Sequence, residues 1–310
     1  GLDDGACGRG IGLRADMDAL PVEEHNRFAH ASRHPGRMHA CGHDGHTATL
    51  LAAARHLATH RDYDGTVYLV FQPAEEDGSG AAAVIADPRY EGLRPDWAFS
   101  LHNMPGLPFG HTALTEGPVN CASLGLKIRL TGKTAHASLP ETGISPAQAV
   151  ARLIPALSAL GQGGPLHPDY RLVTVTHARL GEPAFGIAPG EAEVWATLRT
   201  LTDDKMAALL HAATALAAAE AHNGLTVSFT QHDQFAASVN DPEATARLRA
   251  ALDALHMPHD AGDLPMRGSE DFGRFGAQPP TKGAMLFLGA GQAHPALHNP
   301  DYDFPDALIA

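Results

Sequence analysis

The sequence has 310 residues, of which 44% are hydrophobic and 18% are charged, and its formal net charge is −13. This composition is typical of a folded globular protein and argues against a disordered chain. The excess of acidic residues argues against nucleic acid or an anionic membrane surface as the natural partner.

The three cysteines, Cys7, Cys41 and Cys121, are odd in number and widely spaced along the chain. That pattern argues against a disulfide framework and favours a reducing compartment. No apolar stretch approaches the roughly 18–20 residues that a membrane span requires. We therefore expect a cytoplasmic protein with free thiols.

The first third of the chain alternates between predicted strands and helices. Strands are expected at residues 11–15, 66–72 and 97–101, and helices at 47–60 and 81–86. The run at 66–72 is almost entirely apolar, as in a strand that is buried on both faces of a sheet. This alternation predicts an α/β domain with a mostly parallel sheet and flanking helices.

The middle of the chain predicts a second, smaller domain. Its expected strands and helices are, in chain order, strand 125–131, helix 145–160, strands 171–179 and 191–201, helix 203–222 and strand 225–231. The order β-α-β-β-α-β is that of a ferredoxin-like α+β domain, which we place at residues 118–231. A helix at 242–256 and a strand at 284–288 follow. The first domain therefore comprises residues 1–117 and 232–310.

The strongest local pattern is Met38-His-Ala-Cys-Gly-His-Asp-Gly-His46, directly before a predicted helix. Cys41 and His43 are two residues apart in a glycine-rich turn, so a thiolate and an imidazole can both point at one metal ion. The helix N-terminus also favours the thiolate, because its unpaired N–H groups lower the pKa of a thiol. In the alternative interpretation, His39 and His46 merely cap or pack within a loop.

Two adjacent carboxylates, Glu75 and Glu76, follow the predicted strand at 66–72. One can bind a cation while the other acts on water or substrate, because a metal-bound water needs a base at hydrogen-bond distance. The alternative is a solvated acidic turn. The break at Pro73, directly after a buried strand, favours a site.

Two further histidines are candidate ligands. His102 directly follows the predicted strand at 97–101, and His298 stands in the segment Leu297-His-Asn-Pro300. Either histidine alone would more often be a packed or capping residue. Several candidate ligands, however, fall just past the ends of predicted strands, where open α/β sheets build their sites.

Five segments then occur in order along the chain. They are Leu13-Arg-Ala-Asp-Met-Asp-Ala-Leu-Pro21, His39-Ala-Cys-Gly-His-Asp-Gly-His46, Gln72-Pro-Ala-Glu-Glu76, Ser269-Glu-Asp-Phe272 and Leu297-His-Asn-Pro300. Together they resemble the amidohydrolase branch of the aminoacylase/carboxypeptidase-type di-metal peptidases. Hippurate hydrolase and the plant auxin-conjugate hydrolases belong to that branch.

The resemblance implies a site for two divalent cations. Cys41 would lie between or beside the two ions, and the other ligands would be His43, Glu76, His102 and His298. Glu75 would be the general base that takes a proton from the metal-held water and later passes it to the leaving amine. The cysteine favours zinc, while the mixed nitrogen and oxygen ligands also suit manganese, cobalt or nickel.

The resemblance also implies roles for the inserted domain. His136 matches a histidine that reaches the active site of a partner subunit and supports the oxyanion. Arg199 matches a residue that holds the substrate carboxylate. The insert would then be a lid and dimerisation domain, and the protein a homodimer. The alternatives for these two residues are a surface histidine and a salt bridge at the rim.

The sequence departs from the family pattern in three places. Arg14 stands where the wider superfamily has a histidine ligand, which leaves Asp16 as an orienting carboxylate that we count among the catalytic residues. Gly186 stands where relatives commonly have an asparagine that binds substrate or the partner, so Asn120 or Asn240 is expected to take its place. Relatives also have more chain ahead of Arg14, which leaves open whether this is a fragment or a natural variant.

The function that these residues imply is metal-dependent hydrolysis of the amide bond of a small N-acyl amino acid or a related peptide-like substrate. Arg199 limits the substrate to one with a carboxylate near that amide. One alternative is a thiol amidase with Cys41 as nucleophile and a nearby histidine as base. The other is a non-catalytic metal-binding or dimerising relic, which the presence of Glu75 beside Glu76 argues against.

Overall fold

The structure is a computed structural model that describes residues 9–309. Within this part of the chain Cys41 and Cys121 are free thiols. Cys7 lies outside the described residues. None of the described helices combines the length and the apolar character that crossing a membrane requires.

Fourteen strands and seven α-helices are named below in chain order. The strands are β1 (Gly10–Asp16), β2 (Thr66–Gln72), β3 (Trp97–Pro105), β4 (Thr112–Ala113), β5 (Gly117–Asn120), β6 (Ala122–Thr131), β7 (Ala135–His136), β8 (Arg171–Leu180), β9 (Ile187–Ala188), β10 (Glu191–Thr200), β11 (Thr226–Phe235), β12 (Ser238–Asn240), β13 (His259–Asp260) and β14 (Lys282–Gly291). The helices are α1 (His43–Thr59), α2 (Gly80–Ala86), α3 (Pro88–Glu91), α4 (Ala147–Ala159), α5 (Asp203–Ala218), α6 (Pro242–Ala254) and α7 (Gly273–Gly276), with short 3-10 helices at Pro140–Thr142 and Asp306–Leu308.

The chain divides into two compact units. The first contains the described chain up to Val119, together with Ser238–Pro265 and everything from Glu270 onward. The second contains Asn120–Ala237 and the short segment Met266–Ser269. The sequence placed the insert at 118–231 and did not anticipate that a later four-residue segment packs with it.

The first unit is built on a six-stranded sheet in the order β13-β4-β14-β3-β1-β2. Strand β1 runs parallel to both β2 and β3, and β14 runs parallel to β3. Only the short β4 is antiparallel to its neighbour β14. The predicted α/β fold with a mostly parallel sheet is confirmed, and the C-terminal ends of β1, β2 and β3 lie at the same edge.

Two element boundaries differ from the prediction in ways that matter for the site. Helix α1 begins at His43 rather than at residue 47, because Gly42 takes a left-handed conformation with φ 86° and starts the helix early. Strand β3 continues to Pro105 because β14 pairs with it through His102 and Asn103. The expectation that His102 lies past the end of its strand is therefore wrong, since this histidine is part of β3.

The second unit has a four-stranded sheet in the order β11-β6-β10-β8, and its pairs are antiparallel. With α4 between β6 and β8, and α5 between β10 and β11, this is the predicted ferredoxin-like arrangement. Its core forms because every second residue of β10 is buried along the whole length of the strand. Leu153 and Leu157 of α4, one helical turn apart, are buried in the same apolar cluster as Leu198 of β10.

Candidate metal centre and active site

The N-terminus of α1 brings the first two candidate ligands together. Cys41 is 6% exposed and His43 is completely buried. Gly42 between them has no space for a side chain, because a Cβ there would lie 2.5 Å from Asn103 Oδ1 and 2.6 Å from Tyr302 Oη. The glycine therefore allows the turn to press against β3 and the C-terminal segment, which directs both neighbouring side chains inward.

His43 and His102 are oriented in the same way. His43 Nδ1 donates to the carbonyl oxygen of Asp18 at 3.1 Å, and His102 Nδ1 donates to the carbonyl oxygen of Asn103 at 2.7 Å. A carbonyl can only accept, so each Nδ1 carries a proton, and in the neutral ring Nε2 then keeps a free lone pair. Imidazoles that bind metals are typically fixed by such a bond from the other ring nitrogen. His102 Nε2 lies 3.5 Å from Cys41 Sγ.

Glu75 and Glu76 lie in a tight loop between β2 and α2. Ala74 has φ 54°, and the Gly80 N–H donates to its carbonyl oxygen at 2.8 Å. The Glu76 N–H donates to Asp18 Oδ2 at 3.1 Å. The loop is thus held from both ends, and Glu75 is 5% exposed.

His298 approaches the same place from the C-terminal segment. Its N–H donates to the carbonyl oxygen of Ala40 at 2.7 Å, and its Nε2 lies 3.6 Å from Glu76 Oε2. Its side chain is 55% exposed, in contrast to the buried His43 and His102. This histidine therefore lies on the solvent side of the group.

The five predicted ligands lie close together, and we call them the ligand cluster: Cys41, His43, Glu76, His102 and His298. Cys41, His43 and His102 have their ligand atoms within 4.8 Å of one another, and so do Cys41, Glu76 and His298. Cys41 belongs to both groups, which is the geometry expected of a residue between two ions.

The residues of this cluster fit divalent cations. Within the described chain, His43 Nε2 and Glu76 Oε1 are buried atoms without a hydrogen-bond partner. Buried polar atoms are nearly always paired, so two orphaned atoms that face each other at 3.9 Å indicate a missing positive partner. A thiol, imidazoles and a carboxylate are the ligands that zinc and related transition metals take.

The electrostatics of the cluster follow from burial. Burial raises the pKa of Glu76 to about 7 against the pull of His43, and burial with Glu76 nearby holds the pKa of Cys41 well above its usual range. Burial also lowers the pKa of His102 to about 3. His102 is therefore neutral, which is the form that binds metals. A divalent cation would favour the ionised thiol and carboxylate and so oppose the first two shifts.

His46, one turn into α1, has a different role from its neighbour His43. Its Nδ1 bonds Asp16 Oδ1 at 2.5 Å, and its Nε2 lies 2.6 Å from Asn103 Oδ1. Asn103 Nδ2 in turn donates to Tyr302 Oη at 2.5 Å. Both ring nitrogens of His46 are thus engaged by other side chains, in contrast to the unpaired Nε2 of His43 among the described residues. The sequence counted His46 among four potential ligands, and packing within the loop was the alternative.

A second group of buried polar residues surrounds Arg14, and we call it the Arg14 cluster: Arg14, Asp16, Gln72, Glu270 and Asp271. Arg14 Nη1 donates to Asp16 Oδ2 at 2.6 Å, and its Nε donates to Gln72 Oε1 at 2.9 Å. Its Nη2 contacts Asp271 Oδ1 at 2.8 Å and Glu270 Oε1 at 3.0 Å. The sequence quoted the segment with Glu270 and Asp271 as a motif but assigned no role to either residue.

A profile of Peptidase family M20/M25/M40 matches residues 12–310. The chain belongs to this family. The predicted resemblance to its amidohydrolase branch is therefore confirmed, and so is the class of metal-dependent amidohydrolase.

Three proteins illustrate the similarity. The IAA-amino acid hydrolase ILR1-like 5 of Arabidopsis thaliana is 33% identical over 304 residues, which are 95% of this chain and 68% of that protein. The hippurate hydrolase of Campylobacter jejuni is 32% identical over 318 residues, covering 100% of this chain and 80% of its own. A crystal structure of the YxeP protein of Bacillus subtilis, described as a dinuclear metal binding peptidase from the M20 family, has a TM-score of 0.77 and 27% identity, covering 97% of this chain and 78% of that one.

The remaining predicted residues of this M20/M25/M40 member lie apart from the ligand cluster along the chain. His136 is exposed, and its Nδ1 accepts from the Ser138 N–H at 3.2 Å. Arg199 is half-buried, and its Nη1 donates to the carbonyl oxygen of Arg267 at 3.0 Å and to Ser269 Oγ at 2.9 Å. Both residues belong to the second unit.

Asn240, which the sequence predicted as a substrate-binding residue, is engaged in hydrogen bonds inside the first unit. Its Nδ2 donates to the carbonyl oxygens of Thr115 and Met285 at 2.9 Å each, and its Oδ1 accepts from the Met285 N–H at 2.9 Å. The side chain is 1% exposed, so its amide is consumed in joining β12 to β14. Asn120, the other candidate, is buried with its Oδ1 unpaired among the described residues.

Proposed function

We propose that this chain hydrolyses the amide bond of small N-acyl amino acids or related peptide-like molecules, with two divalent cations held by the ligand cluster and Glu75 as the general base. The observation that carries the proposal is the position of Glu75. Its carboxylate lies within 4.8 Å of the ligand atoms of both His43 and Glu76, next to the place where cations would bind.

The chemistry divides between the cations and the chain. Divalent cations, when bound, polarise a carbonyl and lower the pKa of water to about 7. Glu75 takes a proton from the attacking water and passes it to the nitrogen of the leaving amine. Burial, with Glu270 nearby, holds the pKa of Glu75 well above its usual range. A buried carboxylate of raised pKa has the higher proton affinity that a base of this kind needs.

We propose that His136 supports the oxyanion, as a donor from a partner subunit in a homodimer. The Ser138 N–H donates to His136 Nδ1, so the ring proton is on Nε2. An exposed imidazole with a free Nε2–H is a suitable donor to a developing oxyanion. This part of the proposal requires a dimer, and an active monomer in sedimentation would contradict it.

We propose that Arg199 binds the substrate carboxylate. Both of its hydrogen bonds within the described chain use Nη1, which leaves Nε and Nη2 for a planar ligand. A guanidinium edge of this kind matches a carboxylate in a bidentate pair. The names of the relatives, an IAA-amino acid hydrolase and a hippurate hydrolase, are consistent with acyl amino acid substrates.

The proposal is tested with metal-loaded enzyme and a panel of N-acetyl, N-benzoyl and indole-acyl amino acids. We expect hydrolysis of at least one of them. We expect Glu75→Gln to retain its metal and to lose about 100- to 10,000-fold in kcat, the usual contribution of a general base. Asp77→Asn is the matched control, since Asp77 is exposed in the same loop and its side chain bonds Ser79 alone among the residues that the structure describes. Wild-type turnover by Glu75→Gln would show that the base is misassigned.

The thiol amidase receives less support from the site. A cysteine nucleophile needs an ionised thiol and a basic histidine beside it. Burial instead raises the pKa of Cys41 well above its usual range, which disfavours the ionised thiol. Activity that survives complete chelation would nevertheless favour the thiol mechanism.

A further inference from the structure

A second arginine, Arg267, is bonded through its backbone to Arg199, the residue proposed to hold the substrate carboxylate. Arg199 Nη1 donates to the carbonyl oxygen of Arg267 at 3.0 Å and to Ser269 Oγ at 2.9 Å. These two bonds fix the short segment from which the Arg267 side chain starts. Ser269 is followed directly by Glu270, whose carboxylate lies within 4.8 Å of that of Glu75. Arg267 therefore belongs to the segment that leads into the proposed active site.

The Arg267 side chain is fixed by one of its nitrogens and open at the others. Its Nη2 donates to the carbonyl oxygen of Gly164 at 2.6 Å, and its Cζ lies 5.9 Å from the centre of the Tyr170 ring. Its Nε and Nη1 have no acceptor among residues 9–309. The residue is exposed, so a ligand can reach these two nitrogens.

The charges of the two arginines act in the same place and find no counter-ion in the described part of the chain. Burial raises the pKa of the Cys121 thiol and of the Tyr170 hydroxyl, and the charges of both arginines oppose that rise. Neither Arg199 nor Arg267 forms an ion pair with a described residue. Neighbouring cations repel each other, and an anion that binds between them removes this cost. The pair is therefore suited to a ligand with two negative charges.

A buried hydroxyl without a partner lies beside Arg267. Tyr170 is completely buried, and its Oη has no hydrogen-bond partner among the described residues. This Oη lies 4.0 Å from the position that a Cβ on Gly163 would take, next to the Gly164 carbonyl that Arg267 bonds. Buried polar atoms are nearly always paired, so an unpaired donor here is a further indication of a bound anionic group.

We propose that Arg267 is a specificity-determining residue that binds a second carboxylate, on the side chain of the amino acid whose α-carboxylate is held by Arg199. The substrate class is therefore N-acyl aspartate and N-acyl glutamate. Their two carboxylates are only a few bonds apart, which matches two arginines joined by one hydrogen bond, and each guanidinium offers donors for one carboxylate. The inference rests on the proposed function, since it takes Arg199 as the ligand of the α-carboxylate.

The experiment compares the N-acetyl derivatives of L-glutamate and L-glutamine, which are close in size and differ in charge, as substrates of the metal-loaded enzyme. We expect wild type to prefer the glutamate derivative by about ten- to 100-fold in kcat/KM, the factor that one charge-assisted hydrogen bond supplies. Arg267→Gln should lose this preference because KM for the glutamate derivative rises. Arg267→Lys keeps the charge and should retain part of it. Arg129→Gln is the matched control and should keep it, since Arg129 is exposed in the same unit and pairs with Glu191.

Inhibition by the free amino acids gives a readout that does not depend on turnover of these substrates. L-Glutamate should inhibit wild type more strongly than L-glutamine, and the difference should disappear in Arg267→Gln. N-succinylglycine has its second carboxylate on the acyl group, so its hydrolysis relative to N-acetylglycine should not depend on Arg267. Equal hydrolysis of the glutamate and glutamine derivatives by wild type, or a preference that survives in Arg267→Gln, would overturn the inference alone. Failure to hydrolyse any N-acyl amino acid would instead overturn the proposed function.

Discussion

The ligand cluster and the Arg14 cluster are neighbouring groups of buried polar residues that satisfy their hydrogen bonds in opposite ways. In the ligand cluster, His43 Nε2 and Glu76 Oε1 have no partner within the described chain. In the Arg14 cluster, the single carboxylate of Asp271 accepts hydrogen bonds from three donors, which are Arg14, Gln72 and the Ala81 N–H. The ligand cluster leaves two polar atoms available to a ligand, whereas the Arg14 cluster contains its own cation.

The difference indicates that the ligand cluster is suited to bind a ligand and that the Arg14 cluster is suited to hold the surrounding strands and loops in place. An unpaired polar atom in the protein interior is costly, so a set of them is retained where a ligand completes them. A saturated network instead fixes the positions of the strands and loops that carry it.

Removal of the cations is expected to have the largest effect on the ligand cluster. Dialysis against a chelator should abolish hydrolysis, and zinc or manganese should restore it. The melting temperature should also fall, because a ligand at 100 times its Kd contributes about 2.7 kcal/mol to the free energy of unfolding. Full activity in protein shown to be metal-free by elemental analysis would contradict the claim that the ligand cluster binds cations needed for hydrolysis.

Cys41→Ser tests the residue whose thiol lies both with His43 and His102 and with Glu76 and His298. We expect metal affinity to fall by more than the roughly 10- to 100-fold that loss of an outer partner costs, because serine is a poor replacement for a thiolate. Competition with a chromophoric chelator measures this. Cys121→Ser is the matched control, since Cys121 is also a buried free thiol but belongs to the second unit. Lost turnover with unchanged metal affinity would indicate a nucleophile instead.

Asp271→Ala tests the saturated group. The change leaves Gln72 Nε2 and the Ala81 N–H without their acceptor and removes one of the three carboxylates that pair with Arg14. We therefore expect the free energy of unfolding to fall by about 3–5 kcal/mol. Urea denaturation measures it. Asp253→Ala is the control, because the exposed Asp253–His259 pair at 2.9 Å should contribute at most about 1 kcal/mol. Similar small losses in both variants would mean that the Arg14 cluster stabilises little.

Tyr302→Phe should have the smallest effect. It removes the hydroxyl that accepts from Asn103 Nδ2 and leaves that buried donor unpaired, at a cost of about 1 kcal/mol. Because Asn103 also bonds His46, we expect metal affinity to weaken by about tenfold, the lower end for loss of an outer partner. Isothermal titration with zinc checks this, and Tyr63→Phe serves as an exposed control. A loss of affinity as large as that of Cys41→Ser would remove the distinction between ligand and support.

Much of the fold could be predicted because the signals are local. The alternation of β10 follows directly from the burial of every second residue. The apolar run of β2 predicted the strand itself, but its expected burial on both faces is wrong, because β2 is an edge strand of the six-stranded sheet and Gln72 is its one buried residue. The limits of α1 and β3 were less accurate. They depend on the left-handed Gly42 and on pairing with β14, which is nearly 200 residues away in the chain. Long-range pairing leaves no local pattern in the sequence.

The sequence by itself determined the order of the elements, the family and the side chains able to bind cations, because those depend on residue type and spacing. The tertiary structure alone decided which polar atoms are satisfied. It engaged both ring nitrogens of His46, used the amide of Asn240 within the core and brought Glu270 and Asp271 to Arg14. Hydrogen-bond saturation depends on which distant groups meet, so only the folded chain shows which residues are free to bind.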